Sequence, residues 1–276
     1  MIRAPLFPVL NDAHASLGET LHVLQERRRL LKLLGAAGAV ALLPKKALAC
    51  SLIPAETAGP YPGDGTNGPN ALTQTGIVRS DIRASFGSSG STIAAGTRST
   101  VTLKLVSTTG TGCGSVAGLA VYIWHCNATG GYSMYSSGVT SQNYLRGVQV
   151  TDANGEVSFT TIYPGCYSGR WPHIHFEVYA SLADATTGAN AIRVSQLALP
   201  EATSRTVYSQ SALYPNSTSN LNQVSLNSDN VFSDDGGVSQ IPSVSGDNTN
   251  GYDLQLEVGV AVDATSDAIF VDGFES

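Results

Sequence analysis

The stretch Leu119-Ala-Val-Tyr-Ile-Trp-His-Cys126 constrains the fold more than any other part of the chain. It is a short run of apolar and aromatic residues, closed by Gly130-Gly131, and it reads as a strand buried on both faces. A strand covered on both sides needs layers above and below it. Charged residues are only 13% of the chain, and 29 glycines with abundant Ser, Thr and Asn take their place. Helical bundles and coiled coils are excluded as the main architecture by that balance. Further strands are expected at Val101–Val106, Gly147–Thr151, Glu156–Ile162, His173–Ala180, Ile192–Leu199 and Asp253–Val262. Asp152-Ala-Asn-Gly155 reads as a hairpin turn between two of them. Residues 201–250 show no clear period and read as long loops. The sum is an all-β chain, an antiparallel β-sandwich with long functional loops. An extended arm over 50–100 precedes the sandwich domain of 101–276.

The N-terminus reads differently. Arg27-Arg-Arg29, Leu30, Leu31 and Lys32 open an apolar run, Leu33 to Leu43, followed by Ala47-Leu48-Ala49. A basic region, an apolar region and a small-residue cleavage site in that order mark an export signal. The run is about 11 residues, short of the roughly 20 that span a bilayer. Its Arg-Arg-x-Leu-Leu-Lys pattern resembles a twin-arginine signal, with an ordinary secretory signal carrying an extra arginine as the alternative. Residues 1–49 are therefore expected to be leader and signal, with a periplasmic or secreted product. A lipid anchor on Cys50 is the lesser alternative. Removal after Ala49 would leave eight basic and 18 acidic residues, a net charge of −10. Such a surface repels polyanions, so no nucleic-acid partner is expected. A homo-oligomer stays open.

Cys50, Cys113, Cys126 and Cys166 all follow the signal, and an even count in an exported chain suggests two disulfides of undetermined pairing. Three histidines follow it too. His173 and His175 stand two apart on a strand and point to one face, about 6.6 Å apart along its axis. They can converge on one ion, with Ile174, Phe176 and Val178 turned to the core. Glu177 shares their face but lies about 13 Å from His173 along a straight strand, and is expected to be solvated. His125 reads as a satisfied core or rim histidine. Tyr167, beyond the strand-breaking Pro164-Gly165, and Tyr132, beyond Gly130-Gly131, are the better third and fourth candidates.

The segment from Val121 to Val178 resembles the intradiol ring-cleaving dioxygenases. The resemblance rests on Trp124-His-Cys-Asn-Ala-Thr-Gly-Gly-Tyr-Ser133, Leu145-Arg-Gly147, Thr151-Asp-Ala-Asn-Gly155, Thr161-Ile-Tyr-Pro-Gly-Cys-Tyr167 and Gly169-Arg-Trp-Pro-His-Ile-His175. Thr57-Ala-Gly-Pro-Tyr61 is similar to a substrate-lining stretch, and Ser195-Gln196 matches a further pocket position. The resemblance implies mononuclear non-haem iron(III) held by Tyr132, Tyr167, His173 and His175. It implies a catechol and dioxygen as substrates and a cis,cis-muconate as product. Tyr132 would act as a base, Arg170 would stabilise charge on the ring, and Gln196 would stand behind them. Gly59, Pro60 and Tyr61 would line the substrate pocket. Arg146 reads as a salt bridge or loop anchor. A disulfide at Cys166 would stiffen the loop that bears Tyr167. Only Arg79, Arg83 or Arg193 could supply a rim cation for a carboxylated substrate.

Two other readings compete. A secreted β-sandwich without activity, binding a carbohydrate or another surface, would have lost the metal. A zinc hydrolase would need a reachable carboxylate or third histidine beside His173 and His175.

Overall fold

Among the described residues, eight strands form two four-stranded sheets packed face to face, which bears out the sandwich. The computed structural model describes residues 51–109, 113–210 and 212–263, all within one compact unit spanning 46–276. The leader and signal of residues 1–49, and the anchor position Cys50, lie outside the described residues. No helix among the described residues is long and apolar enough to cross a membrane.

In the first sheet, β1 (Arg98–Ser107) lies between β4 (Glu156–Ile162) and β8 (Gly251–Val260), with β7 (Ser243–Asp247) at the edge. The second sheet runs β3 (Arg146–Val150), β2 (Ala120–Trp124), β5 (His173–Tyr179) and β6 (Arg193–Ala198). One pair departs from the antiparallel expectation: β1 and β8 run parallel. Val101, Leu103, Val121, Ile123, Ile174, Phe176, Val178 and Leu254 fill the space between the sheets, each essentially inaccessible to water. The alternation expected for His173–Ala180 therefore holds on its core side.

The outer face of the second sheet is also covered. Ala71, Leu72, Ile77 and Phe86 of the N-terminal arm pack on Tyr122, Trp124, Val148 and Tyr179. That is why every residue of β2 and β5 is buried. It also corrects the expectation for Glu177, which is 1% exposed and accepts a 2.5 Å hydrogen bond from the Tyr179 hydroxyl. Burial raises its carboxyl to about 8, so it is largely protonated at neutral pH.

Three further expectations are corrected. The turn Asp152–Gly155 does not close a hairpin, because β3 and β4 belong to different sheets. Asp152 Oδ1 accepts from the backbone N–H groups of Asn154 and Glu156, while the Gly155 carbonyl accepts from the N–H of Leu105. The same turn chemistry here carries the chain across the sandwich. The region 201–250 is not all loop: it holds α1 (Glu201–Gln210), α2 (Ser217–Leu221) and β7. Two disulfides are not made. Cys113 is disulfide-bonded, but Cys126 and Cys166 are free and buried. The Cys126 thiol points to the Gly165 carbonyl and the Cys166 thiol to that of Arg170. Burial pushes both thiols up to about 12, which keeps them protonated and unreactive.

Candidate metal centre and its pocket

Two of the four candidate ligands come from one strand. His173 and His175 sit on the outer face of β5, with Trp124 of β2 and Gln196 of β6 directly across from His175. The His175 ring stacks on Trp124, with centroids 4.8 Å apart and planes 6° from parallel. The Nδ1–H of His173 donates to the Trp171 carbonyl at 2.5 Å, which leaves Nε2 with its lone pair free.

The other two come from loops that interlock. Asn127 is the link: its carbonyl accepts from the N–H of Gly130 and of Gly165, and its Oδ1 accepts from the N–H of Thr129 and Gly131. Gly130 has φ +89°, and a Cβ there would lie 2.9 Å from Tyr167 Cβ. Only glycine permits that approach without displacement. The loop bearing Tyr167 is held from the C-terminal side. Tyr208 of α1 donates to the Pro164 carbonyl, Tyr214 to that of Tyr163, and Asn220 of α2 to that of Cys166.

The result is a cluster of four heteroatoms. Tyr132 Oη lies 3.3 Å from Nε2 of both histidines and 3.5 Å from Tyr167 Oη. Tyr167 Oη is 3.2 Å from His173 Nε2, and the two Nε2 atoms are 3.1 Å apart. These spacings suit ligand atoms around one cation with bonds of about 2 Å. Burial, and then the charge of Arg170, hold the His173 imidazole down at about 3, and burial with the neighbouring His173 holds His175 well below its usual value. Both rings are neutral and carry free lone pairs. Burial pushes the Tyr167 phenol up to about 12 and Tyr132 well above 10. A trivalent cation would reverse that preference and favour the phenolates. His175 Nδ1 is buried without a hydrogen-bond partner. The donor set, two phenols and two neutral imidazoles, fits a hard, highly charged metal ion. No group of three or more His, Cys, Asp or Glu able to hold a metal exists among the described residues, so the tyrosines are required for any such centre.

A cavity of about 690 Å³ opens onto Tyr132 and Tyr167. Gly59, Pro60 and Tyr61 of the arm form one wall, and Ser168, Asn230 and Val231 another. Tyr61 stands with its ring 5.1 Å from that of Tyr132 and 5.3 Å from that of Tyr135. Gly59 lets the arm come down on His175, within 3.5 Å of Cε1 for an added Cβ. Arg170 lines the cavity and donates from Nη2 to Gln196 Oε1 at 2.7 Å. Gln196 in turn donates to the Thr57 carbonyl at 2.8 Å.

The remaining candidates fall outside this cluster. His125 is buried with both ring nitrogens bonded, to the Cys126 carbonyl and the Thr161 hydroxyl, as a satisfied core histidine. Arg146 is a loop anchor rather than a salt bridge: it donates to the carbonyls of Tyr61, Pro62 and Ser133. It ties the arm to the sheet. Arg79 donates to the Ala84 and Arg146 carbonyls, and Arg83 pairs with Asp81 on the surface. Neither they nor Arg193 line the cavity. Two contributors do not stand out in the sequence: Asn127 with its linking role, and Asp229, which pairs with Arg170 at 2.9 Å.

Comparison with known proteins finds dioxygenases. A family model described as Dioxygenase, Dioxygenase_C, matches residues 89–189. The chain is similar to the solved intradiol ring-cleavage dioxygenase from Tetranychus urticae. Identity is 28%, the TM-score is 0.60, and the match covers 79% of this chain and 98% of that one. A second solved dioxygenase matches at 27% identity and TM-score 0.59 over the same shares. No curated protein matches the sequence.

Proposed function

The chain belongs to the intradiol ring-cleavage dioxygenases and is a dioxygenase enzyme, and from that premise we propose that it opens a catechol-type diol at mononuclear non-haem Fe(III). Tyr132, Tyr167, His173 and His175 would hold the metal. The observation that carries this reading is the convergence of their four lone-pair atoms, five of the six pairs lying 3.1–3.5 Å apart, beside a cavity lined by the two tyrosines. Bound there, Fe(III) would supply Lewis acidity to a chelated diol.

The protein's own residues do the rest. The Trp171 carbonyl fixes the His173 tautomer, and Trp124 fixes the His175 ring plane. Tyr132 is the more deeply buried of the two phenols, and as the phenolate that a bound cation would favour, its Oη would take up a proton from the incoming diol hydroxyl and become the neutral phenol. Arg170 holds a fixed positive charge at the cavity wall, where it stabilises negative charge that develops on the ring. Gln196 holds Arg170 from behind. Pro60 and Tyr61 face the substrate and narrow the entrance. Both atoms of dioxygen end in the product, a cis,cis-muconate-type diacid.

Export through the twin-arginine-type signal of residues 27–49 is part of the proposal, and a disulfide at Cys113 suits an oxidising compartment. The test is a visible spectrum with an oxygen electrode. Phenolate bound to Fe(III) absorbs visible light, so purified protein should be red to brown and consume one dioxygen per catechol. A colourless protein, or one without oxygen uptake on any catechol, would sink the reading.

A further inference from the structure

Asp229 is an acid with no exposure to solvent in a Ser/Asn-rich stretch, and both of its oxygens are saturated. Oδ2 accepts from Arg170 Nε at 2.9 Å and from the Trp171 N–H at 2.6 Å. Oδ1 accepts from the N–H groups of Val231 at 2.8 Å and Phe232 at 3.2 Å. One carboxylate thus joins the segment just before His173 to the cavity wall made by Asn230 and Val231. Gln196 holds the other end of the guanidinium and is itself tied to Thr57 on the opposite wall. Burial would favour the neutral acid, but Arg170 and the Trp171 N–H outweigh it and keep Asp229 below the usual carboxylate range. The carboxylate is ionised.

Among the described residues, Arg170 is the only charged side chain on the cavity wall. Its charge is already met by a buried partner, and the other polar groups around the cavity are hydroxyls, an amide and backbone. We propose that Asp229 is a positioning residue that fixes the direction of Arg170 and offsets part of its charge, so that the pocket prefers diols with neutral substituents over diols bearing a carboxylate. This rests on the proposed dioxygenase reading. A free arginine at that wall would pair with a substrate carboxylate; with Nε and Nη2 already engaged, Arg170 offers a full carboxylate much less, while its remaining N–H groups still meet the smaller charge that develops on the ring.

The test compares catechol with 3,4-dihydroxybenzoate on the full chain, wild type and Asp229→Asn. Steady-state kcat/KM gives the preference, and calorimetric titration without oxygen gives binding alone. Wild type should prefer catechol by both measures. Asp229→Asn frees the Arg170 charge and should move the preference toward the carboxylated diol by about tenfold, the scale of one charge-assisted hydrogen bond. It should lower kcat on catechol more than it raises KM, with the visible band retained. Asp229→Glu keeps the charge, so it should lose turnover with the wild-type preference intact. Three results would overturn the proposal: a wild type that prefers the carboxylated diol, an Asn variant in which both substrates fall in proportion, or a Glu variant whose preference shifts. A wild type with no visible band and no turnover of either diol would instead overturn the dioxygenase reading.

Discussion

The two halves of the candidate centre are built by opposite means. His173 and His175 ride on β5, a central strand hydrogen-bonded on both sides and buried on both faces. Tyr132 and Tyr167 ride on loops that no ladder supports, and their positions depend on Asn127, on Gly130 and on hydrogen bonds from α1 and α2. A strand positions side chains by repeat geometry, so deleting one changes the chemistry and little else. A loop positions them by a few specific contacts, so a change far from the metal can unseat a ligand. The difference teaches where the site is robust and where it is fragile.

The largest expected effect is chemical and belongs to the strand half. His175→Ala should lose most of the metal, and activity should fall on the order of 1000-fold or more. The β-sheet signal in circular dichroism should persist, because the ladders of β5 with β2 and β6 do not involve the side chain. Unfolding of this variant would remove the claim that the strand stands independently of its ligands.

Next comes Arg170→Ala, which touches the chemistry without touching the ligand set. Loss of one charged contact in a dry site is worth about 2.7–4 kcal/mol, or 100- to 1000-fold in turnover. Metal content by elemental analysis should stay near that of wild type. Unchanged turnover at full metal would take Arg170 out of the catalytic set.

The loop half is broken by Gly130→Ala. The substitution places a Cβ 2.9 Å from Tyr167 Cβ and forces a non-glycine residue to φ +89°. Strain of this kind costs about 1–3 kcal/mol, and each kcal/mol should lower Tm by roughly 2–4 °C in a chain of this size. The telling readout is the visible band, which should weaken more than the loss of stability explains as Tyr167 is pushed from the cluster. A band of full intensity in this variant would show that the loops are more forgiving than the strand comparison implies.

How far this is legible in the sequence follows the same division. The His-x-His spacing on an alternating strand places His173 and His175 on one face directly, because period 2 is a local property. The tyrosines have no such period. The breaks at Gly130-Gly131 and Pro164-Gly165 nominate Tyr132 and Tyr167, but it takes the resemblance to choose them among 11, since loop closure depends on contacts distant in sequence such as Asn127 to Gly165. Glu177 reads as solvated because one polar residue on a strand suggests a wet face, whereas the arm of residues 71–86 covers it. Asp152–Gly155 reads as a hairpin because Asx-turn chemistry is the same whether the chain returns to its own sheet or crosses to the other. In α1 the buried residues Ser204, Val207 and Tyr208 do share a helical face, but one of the three positions expected to be apolar holds a serine. Asp229 stands one residue short of a short apolar pair, Val231-Phe232, and an Asp capping the N–H groups two and three residues on is a readable turn signal. Its pairing with Arg170 is not readable, because 59 residues separate them.

The smallest expected effect concerns a cation outside both halves. Arg83 reads from the sequence as one of three possible rim cations, but the structure pairs it with Asp81, away from the cavity wall, with side chains 36% and 50% exposed. The pair lowers the Asp81 carboxyl through the hydrogen bond from Arg83, yet solvent screens so open a contact. Exposed ion pairs contribute about 0–1 kcal/mol. Arg83→Ala should therefore shift Tm by no more than a few degrees and leave kcat/KM unchanged for catechol and for 3,4-dihydroxybenzoate alike. A selective loss with the carboxylated diol would mean that charge at the molecular surface, rather than the Arg170–Asp229 pair at the wall, decides which diol enters. That result would move the origin of selectivity from the interlocked loops to the outer arm.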